Sequence, residues 1–195
     1  MFKQHTGFRG LLYIRWCMDA MDWTEEVEQV NNLPSNSEGR IDVCVRVCVC
    51  GGCRETTLLY SSKWTKTTAG QQESATIAAH ELAHQWFGNL VTPYWWSNIW
   101  LSEGLAQFFA YWALDKAESS WRMMEQFVVS QLQPMLKADA SATVDALDSE
   151  CATPAEIDHK FGLVSYAKGA SVTRMIQHVL TEETFRKGIH DYLVS

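Results

Sequence analysis

The chain has 195 residues, 47% of them hydrophobic and 20% charged, and 16 basic against 23 acidic side chains give a formal net charge of -7. That length bounds it to one ordinary domain, and basic residues spread thinly along an acidic chain leave no dense cationic patch for phosphates, which argues against nucleic-acid binding. No window holds the roughly eighteen uninterrupted apolar residues that span a bilayer, and Met1 to Asp22 interrupts its short apolar run with Arg15 and Asp19, so no signal peptide or transmembrane anchor is expected and the compartment stays open.

Six cysteines occur, and four of them, Cys44, Cys48, Cys50 and Cys53, crowd into IDVCVRVCVCGGC. Val43, Val45, Val47 and Val49 alternate there as in a short strand, and Gly51 and Gly52 follow as a turn. Only Cys50 and Cys53 have the CxxC spacing, whereas a tetrathiolate zinc site pairs two such units, so a structural metal is not expected in this segment. Before it, Glu25 to Arg40 is polar, carries Pro34 and Gly39, and reads as a loop.

Beyond Gly70 the texture becomes helical. Gln71 to Leu90 is rich in Ala and Leu at helical spacing, with Gly88 or Asn89 as its expected stop. After Pro93, Ile99 to Lys116 predicts a second helix with a broad apolar face of Trp100, Leu101, Leu105, Phe108, Phe109 and Trp112. A third run, Ser120 to Gln133, is expected to end at Pro134, and Lys137 to Cys151 to form a loop. Thr153-Pro154-Ala155-Glu156 carries a capping box with proline at the first helical position. Val164 to Leu180 and Glu182 to Leu193 predict two further helices. The fold class is therefore mainly α with a short irregular or β N-terminal segment. The nine Trp need either a large core or a partner surface to cover them.

His80, Glu81 and His84 form an HExxH pattern inside the first of these helices. Positions four apart lie within about 40° of each other on one helix face, so both imidazoles can reach one ion. Glu81 sits on the flank, where its carboxylate can take a proton from a bound water. A third ligand is needed, and Glu103 follows His84 after eighteen intervening residues on the next helix, WLSEGLAQFF. A carboxylate buried among such apolar side chains costs several kcal/mol, roughly, and a divalent cation removes that cost. The loop through Pro93 lets the two helices face each other. One Zn2+ ion held by His80, His84 and Glu103 is the expected cofactor.

The run HELAHQWFGNLVTPYWWSNIWLSEGLAQFF, with RETTLLY at Arg54 to Tyr60 and the stretch from Phe161 to Leu193, resembles the zinc aminopeptidases of the alanyl aminopeptidase (aminopeptidase N) family, a branch of the gluzincins. The likeness begins near Arg54, which divides the chain into an atypical segment 1–53 and a partial catalytic domain 54–195. The resemblance implies the helical part of a thermolysin-like fold, His80, His84 and Glu103 as zinc ligands, Glu81 as the base, and Tyr166 in SYAKGAS as the hydroxyl that stabilises the oxyanion. It implies peptide substrates cut at their amino terminus.

Two departures accompany it. The family's Gly-Ala-Met-Glu-Asn signature, whose Glu binds the substrate's free amine, has no counterpart in this sequence, and Val43 to Cys53 stand in its place. A zinc-binding but catalytically impaired chain, an internally cutting peptidase and a thiol-rich interaction module are the competing readings. Ser102 and Gln107 also depart from the pattern, with no expected effect on the ligands. The chain is expected to be a fragment, a truncated splice form or a faulty gene model, with missing family domains or a dimer partner covering its aromatic faces.

Overall fold

The computed structural model of the protein describes residues 67–194. The cysteine cluster from Cys44 to Cys53, the strand expected there and RETTLLY lie outside the described residues. In chain order the helices are α1 (Thr68–Ala83), α2 (Ile99–Ala117), α3 (Met123–Phe127), α4 (Gln133–Asp139), α5 (Pro154–Lys160), α6 (Gly169–Val179) and α7 (Glu182–Val194). Five-residue π segments, Val128–Leu132 and Val164–Lys168, join α3 to α4 and lead into α6. Among the described residues there is no strand beyond an isolated bridge between Phe87 and Val91, in keeping with a mainly α chain.

Helix α2 is the centre. Ser102 to Ala106, Phe108 to Tyr111, Ala113 and Leu114 are all buried, so the helix is covered on more than the single apolar face its sequence suggests, while Trp100, Leu101 and Trp112 are only half-buried. Phe87 stacks on Phe109 with centroids 4.9 Å apart, Phe108 meets Phe185 of α7 at 5.9 Å, and Tyr111 meets Phe127 of α3 at 5.3 Å. Each such buried ring contributes about 1.5–3 kcal/mol from burial. Helices α2 and α6 touch backbone to backbone: a Cβ on Gly104 would lie 2.7 Å from Gly169 Cα, and one on Gly169 would lie 3.0 Å from Gly104 Cα. Glycine at both positions is therefore a packing requirement.

Two expected boundaries are corrected. Helix α1, started by Thr67 Oγ1 accepting from Gly70 N at 3.1 Å, stops at Ala83 and does not reach Leu90. After Ala83 the winding tightens into turns, with Gln85 N donating to Leu82 O and Trp86 N to Ala83 O, and Gly88 then adopts φ +128°, which glycine alone tolerates easily, its N–H donating to Val91 O at 2.8 Å. Pro134 does not end the third helical run, which continues to Asp139. Gln133 N donates to Val128 O five residues back, and this wider turn absorbs the donor that proline lacks. The capping box forms as read: Thr153 Oγ1 accepts from Glu156 N at 3.3 Å, and Glu156 Oε2 accepts from Thr153 N at 2.9 Å.

Candidate metal centre

The last turn of α1 carries His80 and leads into His84, and the second turn of α2 carries Glu103. Where the two helices meet, His84 Nε2 lies 2.9 Å from His80 Nε2, and Glu103 Oε2 lies 3.1 Å from the first imidazole's Nε2 at His80 and 3.3 Å from that of His84. His80 and Glu103 are each only 7% exposed. Two ring nitrogens and one carboxylate oxygen thus point at a common place.

The hydrogen bonds behind His84 fix which of its nitrogens does so. Phe87 O, turned inward by the early end of α1, accepts from His84 Nδ1–H at 2.9 Å. With that proton on Nδ1, a neutral ring presents a bare lone pair at Nε2. Lone pairs of two imidazoles and a carboxylate at such separations repel unless a proton or a cation lies among them. Ligands about 2.0–2.1 Å from one tetrahedral ion stand roughly 3.3 Å apart, and the three separations of 2.9, 3.1 and 3.3 Å are close to that edge. The donor set fits a metal ion. His80 Nδ1, by contrast, is buried and has no hydrogen-bond partner among the described residues.

In the metal-free chain the same proximity shifts both partners. Burial drives the Glu103 carboxyl upward, but hydrogen bonds and charge from His80 and His84 outweigh it and hold the group down at about 2. Burial drives His84 downward, and the hydrogen bond and charge of Glu103, the Phe87 carbonyl and the charge of Glu81 together raise it above its ordinary 6.5. Glu81 is half-buried on α1 and close enough to be felt by His84. Tyr166 lies in the π segment Val164–Lys168, and its ring stacks on His80 with centroids 5.6 Å apart and 21° between planes. The structure therefore gathers His80, His84, Glu103 and Tyr166 in one corner.

One expectation about this corner is overturned. Ser102, read as a departure that leaves the ligands untouched, is buried directly behind His84. Its Oγ lies 3.3 Å from His84 Nδ1 and donates to Phe87 O at 2.8 Å. No spacing rule in the sequence points to that hydroxyl, because the contact exists only once the loop folds α2 back onto α1.

The sequence profile of the peptidase family M1 domain matches residues 50–195. The chain belongs to peptidase family M1. It is 42% identical over 140 residues to glutamyl aminopeptidase of Sus scrofa and 43% identical over 143 residues to aminopeptidase N of Canis lupus familiaris. It is 41% identical over 143 residues to aminopeptidase Ey of Gallus gallus. Each match covers 72% of this chain and 15% of the relative, so the chain spans a small part of the proteins it matches. The resemblance to zinc aminopeptidases drawn from the motifs is borne out at the level of the family, and the corner of two histidines and a glutamate is the family member's candidate metal site.

Proposed function

We propose that this chain forms the metal-binding part of a zinc aminopeptidase that hydrolyses peptide bonds at the amino terminus of peptides. The observation that carries the reading is the convergence of His80 Nε2, His84 Nε2 and Glu103 Oε2 within 3.3 Å of one another. Two imidazoles and a carboxylate are a donor set that suits catalytic zinc, because three protein ligands leave a position open. Zinc held there supplies a lowered water pKa and polarisation of the scissile carbonyl.

The side chains divide the remaining work. Glu81, flanking the ligand face of α1, takes a proton from the attacking water and delivers it to the leaving amine. Tyr166, whose ring lies along His80, donates its phenolic hydrogen bond to the carbonyl oxygen as negative charge develops there, a contribution of about 3 kcal/mol. Tyr94, Trp95 and Trp96, which are 99%, 50% and 40% exposed, form an aromatic surface for the remaining family domains or a second copy to cover.

The test uses the full chain with one equivalent of zinc and fluorogenic alanyl, leucyl and glutamyl amides. Wild type is expected to hold the zinc and release the fluorophore, and Glu103→Ala to lose both. Equal zinc affinity in the two chains refutes Glu103 as the third ligand. Bound zinc without turnover favours an impaired relic, and cleavage of an N-acetylated peptide favours internal cutting.

A further inference from the structure

We infer that Ser102 is a positioning residue for the metal site: its buried hydroxyl, with Phe87 O, locks His84 in the tautomer and orientation that present Nε2 to the ion. The inference rests on the metal reading above and adds a residue that neither the HExxH pattern nor the distant glutamate includes. A serine inside a helix ordinarily turns its hydroxyl to solvent or back onto its own carbonyls. Ser102 does neither. It is 5% exposed, and it donates out of α2 to the carbonyl of Phe87, which belongs to the loop after α1.

That carbonyl then has both of its lone pairs engaged, one by Ser102 Oγ–H at 2.8 Å and one by His84 Nδ1–H at 2.9 Å. With two donors aimed at it, the carbonyl cannot rotate away from the imidazole without orphaning a buried hydroxyl as well. The opposite tautomer of His84 would place a lone pair at Nδ1 against the Phe87 oxygen, and Nε2–H against the other two ligand atoms. With a cation among the three ligand atoms, only the arrangement with Nδ1–H satisfies both His84 nitrogens and the Phe87 oxygen.

Gly88 shows how closely the space is fitted. A Cβ there would lie 2.6 Å from Ser102 Oγ and 3.4 Å from His84 Nδ1. The glycine whose positive φ carries the chain out of the turn after α1 is thus also what leaves room for the hydroxyl, so the turn, the serine and the ligand's second nitrogen form one unit.

The test compares wild type, Ser102→Ala, Ser102→Thr and Glu103→Ala of this chain in two measurements. One is zinc affinity by competition with a chromogenic chelator, and the other is the visible absorption of bound Co2+. Supporting partners of ligand histidines are worth about 10–100-fold in metal affinity. Ser102→Ala is therefore expected to weaken zinc on the order of tenfold and to shift the Co2+ bands, and Ser102→Thr, which keeps the hydroxyl, to return both toward wild type. The Co2+ spectrum reports the loaded site alone, so a general loss of stability would not move it. Wild-type affinity and superimposable Co2+ spectra in Ser102→Ala overturn the proposal while leaving the metal reading intact. A wild type that takes up no zinc overturns both. Should the alanine chain fail to fold, proton NMR of zinc-loaded wild type decides: a Ser102 hydroxyl proton protected from exchange and close to His84 Hδ1 supports the role, and a freely exchanging one overturns it.

Discussion

The two ends of helix α2 are built on different physics. Its first turns carry Ser102 and Glu103, buried polar groups whose partners must stand at particular distances and hold particular protons. Its later turns carry Phe108, Phe109 and Leu114, which need only close apolar neighbours from α3 and α7. One end tolerates many side chains of suitable volume. The other tolerates almost none, because each lost partner strands a buried polar group. A helix anchored by a forgiving core at one end can carry an exacting site at the other.

Separating the two ends is the sharpest experiment. Phe108→Ala is expected to cost about 3–5 kcal/mol of folding stability, read as a lower urea midpoint, while the folded fraction keeps its zinc stoichiometry. Loss of zinc from folded Phe108→Ala would break the division. Tyr166→Phe should do the reverse, lowering kcat about 100-fold, equivalent to about 3 kcal/mol, with zinc content and urea midpoint unchanged.

Gly104→Ala joins the two regions. Its Cβ would press on Gly169 at 2.7 Å, so α6 and the Tyr166 segment must move away from α2. A loss of about 1–3 kcal/mol is expected, together with a fall in kcat that exceeds any change in zinc affinity. Equal effects on both would mean that Tyr166 and Glu103 shift as one body.

The smallest effect is on pH. Without metal, Glu103 lies below its ordinary 4.5, at about 2, so its contribution is present above 4.5 and fades as pH falls toward 2. His84 lies above its ordinary 6.5, so its contribution is present below 6.5 and fades as pH rises through the raised value. Urea midpoints of chelator-treated chain should therefore peak between 4.5 and 6.5, and saturating zinc should flatten the alkaline fall. An alkaline fall that persists under zinc would show that groups other than His84 cause it.

Most of the site was legible because its signals are local or follow a fixed spacing. HExxH places two imidazoles on one face by helical geometry alone, and the Thr153 capping box is written in four consecutive residues. Tyr166 was reached only through family likeness, since a lone aromatic carries no local sign of what it will stack against. The end of α1 was misjudged because apolar residues go on at helical spacing past Ala83, through residues that the structure winds into turns. Pro134 misled for a related reason: proline stops an ordinary α-turn, and nothing nearby announces that the winding will widen to hold it.

The same widening around Tyr166 has a consequence of its own. A five-residue hydrogen-bonded turn stores one more residue than the usual four, and each residue advances a helix by about 100°. Deleting a single amino acid between Tyr166 and Gly169 would let the segment relax to regular winding and swing the phenol around the helix axis, away from His80. The tyrosine's address beside His80 is thus kept by a count of residues as well as by the packing around it.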